Sequence, residues 1–184
     1  MPLGPTNLKG PSFRLQIDDT RLLELYDYWL IHRGERPAML RADLDPVSIP
    51  QLLKSLILTD VSGDGPDIRY RLVGTEIVAA HGLEYTGMTV EELTSGATLE
   101  YTRQLYGIVV SNAVPVYSEG PFQWADKEFR WTRRLHLPMS RDGSAVDMVL
   151  AGQIFENGRP GRVERMVSGR ADELTADLER VRAS

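Results

Sequence analysis

Apolar residues recur at helical spacing soon after the start of the chain. Residues 20–33 have the periodicity of about 3.6 residues that is typical of an amphipathic helix. Asp19 precedes this stretch as an acid placed at a helix N-terminus, and Gly34 ends it. One side of the predicted helix carries four large apolar side chains: Leu22, Leu25, Tyr26 and Trp29. Because such a stripe is unfavourable in water, we expect it to join the fold or to form a homodimer or partner interface.

Five later segments have the composition and turn boundaries of β-strands. They lie at 56–61, 68–73, 116–125, 128–138 and 146–155. Between the second and third strands, helical patterns occupy 75–81, 90–94 and 98–113. The last three strands follow one another closely, which favours antiparallel pairing. This order predicts an α+β domain with a five-stranded antiparallel sheet, helices on one face and the N-terminal amphipathic helix.

The same pattern divides the chain into three parts. We expect a flexible N-terminal segment at 1–17, a domain at 18–156 that includes the N-terminal helix, and a tail at 157–184. The tail begins as an arginine-rich linker with little periodicity. It then regains helical spacing through Leu174 and Leu178, which predicts a short amphipathic helix that is too short to be stable alone.

Composition narrows the classes of function. The 184-residue chain contains no cysteine, which excludes disulfides, thiolate metal sites and thiol-linked cofactors. Its formal net charge of -5 would repel a phosphate backbone, so we expect no nucleic-acid partner. No apolar stretch has the length of a signal peptide or a membrane span. We therefore expect a cytoplasmic protein without a membrane partner.

Four short phrases, in the same order along the chain, resemble one protein family. They are LRADLDP at 40–46, YRLVGT at 70–75, Gly87 after a short helix, and RLHLPM at 134–139. Each is similar to a segment of the PAS-like family of stand-alone domains found mainly in alphaproteobacteria. The resemblance implies a PAS fold with a cavity between the sheet and the helices. PAS domains use this cavity for a ligand or cofactor, or act only as dimerisation surfaces.

The predicted cavity has candidate lining residues on the second strand, two helices and two later strands. These candidate ligand-binding residues are Tyr70, His81, Tyr106, Val109, Trp124, Trp131 and Arg133. Aromatic side chains suit a mainly apolar ligand, and a histidine, a tyrosine hydroxyl and a guanidinium suit its polar end. We therefore expect a small, weakly acidic organic ligand.

Arg133 interrupts an otherwise apolar strand face. Strict alternation places it between Trp131 and Leu135, whereas Arg134 and His136 fall on the opposite face. Either a β-bulge or an extended side chain brings Arg133 to solvent, or Arg133 is an anion anchor inside the pocket. On the opposite face, the simplest arrangement covers the arginines with the N-terminal helix and pairs them with acids such as Asp27.

Cofactor chemistry has little support in the sequence, and we predict no cofactor and no metal site. The resemblance implies that a haem ligand would be a histidine on the long helix before the third strand, as in haem-binding PAS domains. The predicted helix at 98–113 contains no histidine. His81 is the substitute candidate, although an ordinary core histidine is the simpler interpretation. The sequence also contains no glycine-rich loop that would bind the phosphate of a non-covalent flavin.

These observations favour a sensory or regulatory module over an enzyme. We predict a stand-alone PAS-type module that binds a small organic ligand or a partner signalling protein and acts by protein contact. One alternative is a redox or gas sensor with bound haem or non-covalent flavin. Another is an enzyme that uses the PAS cavity, although no Gly-x-Ser-x-Gly motif is present and Glu91 and Glu92 fit better as helix-dipole partners.

Overall fold

The computed structural model describes residues 12–62, 67–122, 130–157 and 162–184. Its α-helices are α1 Thr20–Arg33, α2 Thr75–His81, α3 Val90–Leu93, α4 Gly96–Asn112 and α5 Ala171–Ala183. Short 3₁₀ turns occupy Phe13–Gln16, Arg41–Asp43, Pro46–Ser48 and Leu53–Ser55. All the helices expected from the periodicity are present, and α1 has the predicted bounds.

The strands form one sheet. They are β1 Met39–Leu40, β2 Leu56–Ser62, β3 Asp67–Val73, β4 Val116–Phe122, β5 Arg130–Ser140, β6 Met148–Asn157 and β7 Arg165–Ser168. The order across the sheet is β3-β2-β6-β5-β4-β7, with antiparallel neighbours throughout. The short β1 adds a parallel pair at the end of β5, where Met39 lies opposite Met139.

The predicted sheet of five strands is too small, because the described residues form seven. The five predicted strands are all present. The two missed strands are β1, with two residues, and β7, with four. Neither is long enough to show the alternation by which a strand is recognised in a sequence. β7 lies within the arginine-rich segment that was predicted to be a linker, and it forms the edge of the sheet beside β4.

Helices cover the sheet on both faces. We call the face under α2, α3 and α4 the inner face, and the face under α1 and α5 the outer face. The outer core includes Trp29 from α1, Leu174 from α5 and Leu135 from β5. The inner core includes Ile77 from α2, Val109 from α4 and other apolar residues of the same sheet.

Helix α1 is part of the outer core rather than an exposed surface. The Asp19 carboxylate caps it by accepting hydrogen bonds from the backbone amides of Arg21 and Leu22. The Trp29 indole donates to the carbonyl of Pro138 over 2.9 Å. The four residues predicted as a dimer or partner interface are all buried within the protomer: Leu22, Leu25, Tyr26 and Trp29. The sheet and α5 cover this stripe, so it does not present a surface for a second chain.

Helix α5 is held against α1 by a buried carboxylate. Asp177 is fully buried and accepts a hydrogen bond from the Tyr26 hydroxyl over 3.1 Å. It also accepts the hydroxyl of Ser12 and the backbone amide of Arg14. One side chain therefore ties the C-terminal helix both to α1 and to the chain before it.

The inner-face helices begin and end at recognisable residues. Thr89 and Glu92 form the predicted capping box at the start of α3. Gly82 ends α2 in the left-handed conformation, at a φ of 71° that glycine adopts without strain. These short helices and the long α4 cover only part of the inner face, which leaves room for a cavity.

Candidate functional site

A cavity lies on the inner face between the sheet and helices α2 and α4. Its volume of about 610 Å³ falls within the range of about 300–1,000 Å³ that is typical of small-molecule sites. Tyr70 from β3, His81 from α2 and Tyr106 from α4 line it, so the structure brings three predicted site residues together. The exposed residues Thr98 and Tyr101 mark its open side.

A polar row crosses the floor of this cavity. Ser118 on β4 lies opposite Arg134 on β5, and Arg134 lies opposite Gln153 on β6. Directly opposed residues in an antiparallel sheet point to the same face, so all three side chains lie on the inner face. The Ser118 hydroxyl is buried without a hydrogen-bond partner among the described residues. The row therefore combines a guanidinium with neutral polar groups.

Arg134 has aromatic neighbours in place of carboxylates. No carboxylate of the described residues forms an ion pair with it. Its charge interacts with the exposed Glu164 carboxylate at the rim, beyond ion-pair distance, and with four tyrosine hydroxyls of the cavity wall: Tyr70, Tyr85, Tyr101 and Tyr106. Burial lowers the pKa of Arg134, whereas burial raises the pKa of Tyr106 to about 12. The guanidinium is thus a positive charge among neutral phenols.

His136 is a further polar side chain of the cavity floor. It is 6% exposed, and its Nδ1 atom has no hydrogen-bond partner among the described residues. Burial, and then the nearby charge of Arg134, lower the pKa of His136 to about 3. The imidazole is therefore neutral at physiological pH and can donate one hydrogen bond and accept another.

An aromatic cluster closes one end of the cavity. The His81 ring contacts Tyr85 and Phe122 edge to face, with centroids 5.2 and 4.9 Å apart. Phe122 contacts Phe155 in the same way at 4.8 Å. Such edge-to-face contacts are the favoured geometry of buried rings. The Nδ1 atom of His81 also lies 3.0 Å from the carbonyl oxygen of Ile77. These contacts explain His81 as a packed aromatic side chain.

Two predicted pocket residues lie on the other side of the sheet. Strand β5 pairs with both neighbours in unbroken register, so alternation places Trp131 and Arg133 on the outer face with Leu135. The predictions that Trp131 and Arg133 line the cavity are therefore wrong. The unbroken register also excludes a β-bulge at Arg133, and its side chain is only 14% exposed rather than extended into solvent.

Arg133 is neutralised by two carboxylates on the outer face. It forms ion pairs with Glu119 at 3.2 Å and with Glu156 at 2.6 Å. Burial alone would lower the pKa of Arg133, but these carboxylates outweigh it and raise the pKa. Arg162 and Arg165 extend the network through the same two glutamates. Arg133 thus has a local structural role and is not available to a ligand.

Two further predicted residues do not contribute to the described cavity wall. Val109 is fully buried in the inner core behind the lining residues. Trp124 lies outside the described residues. Tyr85, Arg134 and His136 line the cavity but are not among the predicted ligand-binding residues, although alternation places the last two on one strand face. The polar residues on that face of β5 are the sequence feature from which this part of the cavity could have been predicted.

The N-terminal helix covers the face opposite to the one expected. Asp27 pairs with Arg14 at 2.7 Å rather than with the arginines of β3 and β5. Arg69 donates to the carbonyl of Gly87, and Arg71 pairs with Asp60 on the neighbouring strand. The inner face is consequently free of α1, which leaves Arg134 facing the cavity.

The described residues contain neither a group of side chains arranged to hold a metal ion nor a helix able to cross a membrane. Within the described ranges, no group of three or more histidine, aspartate or glutamate side chains is arranged to hold a metal ion. Across the same part of the chain, no helix combines the length and apolarity needed to cross a membrane.

The antiparallel sheet, the short helices over its inner face and the cavity between them define a PAS-type sensory fold. A PAS domain family matches residues 17–152, and the chain belongs to this family. PAS domains are in general signal-sensing modules rather than enzymes. No curated protein matches the chain.

Several solved structures of light-oxygen-voltage (LOV) proteins are similar to the chain. The LOV protein of Rhodobacter sphaeroides is 17% identical with a TM-score of 0.46, over 64% of this chain and 71% of that protein. A fungal LOV domain photoreceptor is 12% identical with a TM-score of 0.41, over 62% and 93%. An RNA-binding Light-Oxygen-Voltage receptor is 13% identical with a TM-score of 0.44, over 78% and 39%. Likenesses at this level carry no information about ligand or partner.

Proposed function

We propose that the protein is a sensory or regulatory module that binds a small organic ligand in the inner-face cavity and signals through contact with a partner protein. The cavity floor carries this proposal, because Arg134 and His136 are polar groups left without protein partners of matching chemistry among the described residues. Buried polar groups usually have a hydrogen-bond partner, and these two side chains line a cavity that a ligand can enter. A site for a polar ligand accounts for them.

The route from cavity to surface runs along β7. Residues Arg165 and Met166 of this strand line the cavity, and Glu164 just before it lies over Gly120 at the cavity rim. Only two residues separate β7 from α5, which packs on α1 across the outer face. A change in cavity occupancy that displaces β7 would therefore reach α5 directly. We propose the exposed surface of α1 and α5 as the region that a signalling partner reads.

An absorption spectrum of freshly purified protein separates this proposal from the cofactor-bound alternatives. The sequence has no cysteine for a thiol-linked chromophore, and the His81 ring is packed among aromatic side chains. We expect a colourless protein. A Soret band or a flavin band at near-stoichiometric occupancy would contradict the proposal and favour a redox or gas sensor.

Hydrogen exchange on the full chain tests ligand binding and signal transmission together. A library of small neutral and acidic compounds is screened by ligand-observed NMR, and each hit is added before exchange. We expect hits to protect β5 and α4 and to change exchange in β7 and α5. If every hit leaves the cavity segments unchanged, the cavity is not a ligand site. If protection stops at the cavity, the route through β7 is wrong.

A further inference from the structure

Two arginines, Arg134 and Arg165, lie beside the inner-face cavity. Only the Arg134 side chain is on the inner face, because Arg165 lies opposite Glu119 and so shares the outer face with it. Arg165 forms ion pairs with Glu119 at 3.0 Å and with Asp18 at 2.9 Å. Arg134 has no carboxylate partner among the described residues and is surrounded by phenols. The exposed Glu164 at the rim acts on Arg134 only at longer range. One uncompensated positive charge therefore remains on the cavity floor.

We propose that this cavity binds a small aromatic monocarboxylate, with its carboxylate on the guanidinium of Arg134 and its ring toward His81 and Phe122. This inference rests on the proposed function, since it names the ligand class of the same site. It also replaces Arg133 by Arg134 as the anion anchor, because only Arg134 faces the cavity.

The unpaired guanidinium favours a carboxylate. Removing a charge from water without a partner is costly, and a bound anion recovers that cost through charge-assisted hydrogen bonds. The planar guanidinium presents parallel N–H donors that match the two oxygens of a carboxylate. Tyr70 and Tyr106 add hydroxyl donors beside it, since burial raises the pKa of both phenols and keeps them protonated.

The charge balance favours a monoanion over a dianion. His136 adds no second positive charge, because burial and the charge of Arg134 lower its pKa to about 3. Arg165 is already neutralised, and Glu164 adds a negative charge at the rim. At the guanidinium, a carboxylate matches the single positive charge, whereas a phosphate dianion would leave one negative charge unmatched and would add to the repulsion from Glu164.

The walls of the cavity favour an aromatic ring. His81, Phe122 and Phe155 meet edge to face at one end, and Tyr70 and Tyr85 meet edge to face at 4.8 Å along the side. Flat rings can add to such clusters in the offset or edge-to-face geometry that aromatic side chains prefer. An aliphatic acid of similar length would make fewer of these contacts.

Calorimetric titration of the full chain with four probes tests the ligand class. The probes are benzoate, the matched neutral amide benzamide, acetate as a carboxylate without a ring, and inorganic phosphate as a multiply charged anion. We expect benzoate to bind at least tenfold more tightly than each of the other three. Equal binding of benzoate and benzamide would overturn the carboxylate assignment, and equal binding of benzoate and acetate would overturn the aromatic one. Absence of benzoate binding would overturn both.

Arg134→Met tests the anchor, with Arg71→Met as a matched control. Both variants remove one guanidinium and keep most of the side-chain volume, but Arg71 is exposed and lies on β3 away from the cavity lining. We expect the Arg134 variant to lose at least tenfold in benzoate affinity and to approach the affinity of benzamide, with no loss in the Arg71 variant. Arg134→Lys should fall between them. Unchanged benzoate affinity in a folded Arg134→Met protein would overturn the inference.

The outcomes separate this inference from the proposed function. If benzamide or another neutral compound binds and protects the cavity segments from exchange, the cavity is a ligand site and only the ligand class is wrong. If no compound of any charge protects those segments, the proposed function itself fails.

Discussion

Two consecutive arginines on β5 occupy contrasting environments. Arg133 faces the outer side of the sheet and pairs with Glu119 and Glu156. Arg134 faces the inner side and has no carboxylate partner among the described residues. The outer face is a completed core closed by α1 and α5, whereas the inner face keeps a cavity of about 610 Å³. One sheet thus separates a face that stabilises the fold from a face that is suited to binding.

The two faces also differ in whether their polar groups adjoin a cavity. On the outer face the fully buried Asp177 receives several hydrogen bonds, including one from Tyr26. On the inner face the buried Ser118 and His136 keep atoms without protein partners within the described ranges. Two outer-face atoms, Arg33 Nε and Trp131 Nε1, also have no hydrogen-bond partner within the described ranges. The inner face differs because His136 lines a cavity that a ligand can enter.

The largest effect is expected on the outer face. Trp29→Ala removes a fully buried ring and the hydrogen bond of its indole to Pro138. We expect a loss of about 3–5 kcal/mol in the free energy of unfolding, measured with urea. Tyr101→Ala is the control on the inner face, where the ring is 37% exposed at the cavity mouth. A similar loss in both variants would contradict the division between the faces.

Acid should destabilise the inner face through His136. In the folded protein, burial and Arg134 lower its pKa from 6.5 to about 3, and Tyr106 packs against the ring. The unfolded chain therefore binds a proton first, so stability falls as the pH drops below 6.5 toward 3.

The variant His136→Gln isolates the contribution of this imidazole to the pH dependence of the unfolding free energy. Between pH 8 and pH 5, His136 should account for about 2 kcal/mol of lost unfolding free energy, and this part should be absent in His136→Gln. His32→Gln on α1 should retain the acid sensitivity of the parent. Urea unfolding at a series of pH values measures both. Equal acid sensitivity in His136→Gln and the parent would show that the imidazole is not held neutral.

The smallest expected effect is the difference in unfolding free energy between variants of Arg133 and Arg134. Arg133→Met removes one cation from a half-buried network, although Glu119 and Glu156 retain Arg165 and Arg162. We expect a loss of about 1 kcal/mol. Arg134→Met removes a charge that no described carboxylate neutralises, so its stability should be unchanged or higher. Unfolding free energies in which Arg134→Met is the less stable variant would contradict the account.

The sequence predicts the fold well because the long elements carry strong periodicity. Helix α1 has the predicted bounds, and the capping box of Thr89 and Glu92 forms as expected. Strand β7 could not be predicted because four residues are too few to show a period. The position of Arg165 within it depends on partners that are distant in sequence, such as Asp18. The periodicity of a long segment predicts its own helix or strand, whereas an edge strand such as β7 forms because it pairs with a neighbouring strand.

The candidate site was predicted only in part, for a related reason. Alternation on β5 divides Arg133 and Arg134 between two faces, but it does not show which face adjoins the cavity. The aromatic Trp131 and its neighbour Arg133 were predicted to line the pocket, yet they share the outer face with Leu135 of the closed core. The face that adjoins the cavity is the more polar one, since it carries Arg134 and His136.

A crystal of the full chain soaked with 4-bromobenzoate would locate a ligand in the cavity, because the anomalous signal of bromine marks its position independently of weak density. We expect one anomalous peak inside the inner-face cavity, toward His81 and Phe122, with the carboxylate within hydrogen-bond distance of the Arg134 guanidinium. A peak on the outer face, or a cavity peak with the carboxylate directed away from Arg134, would contradict this expectation.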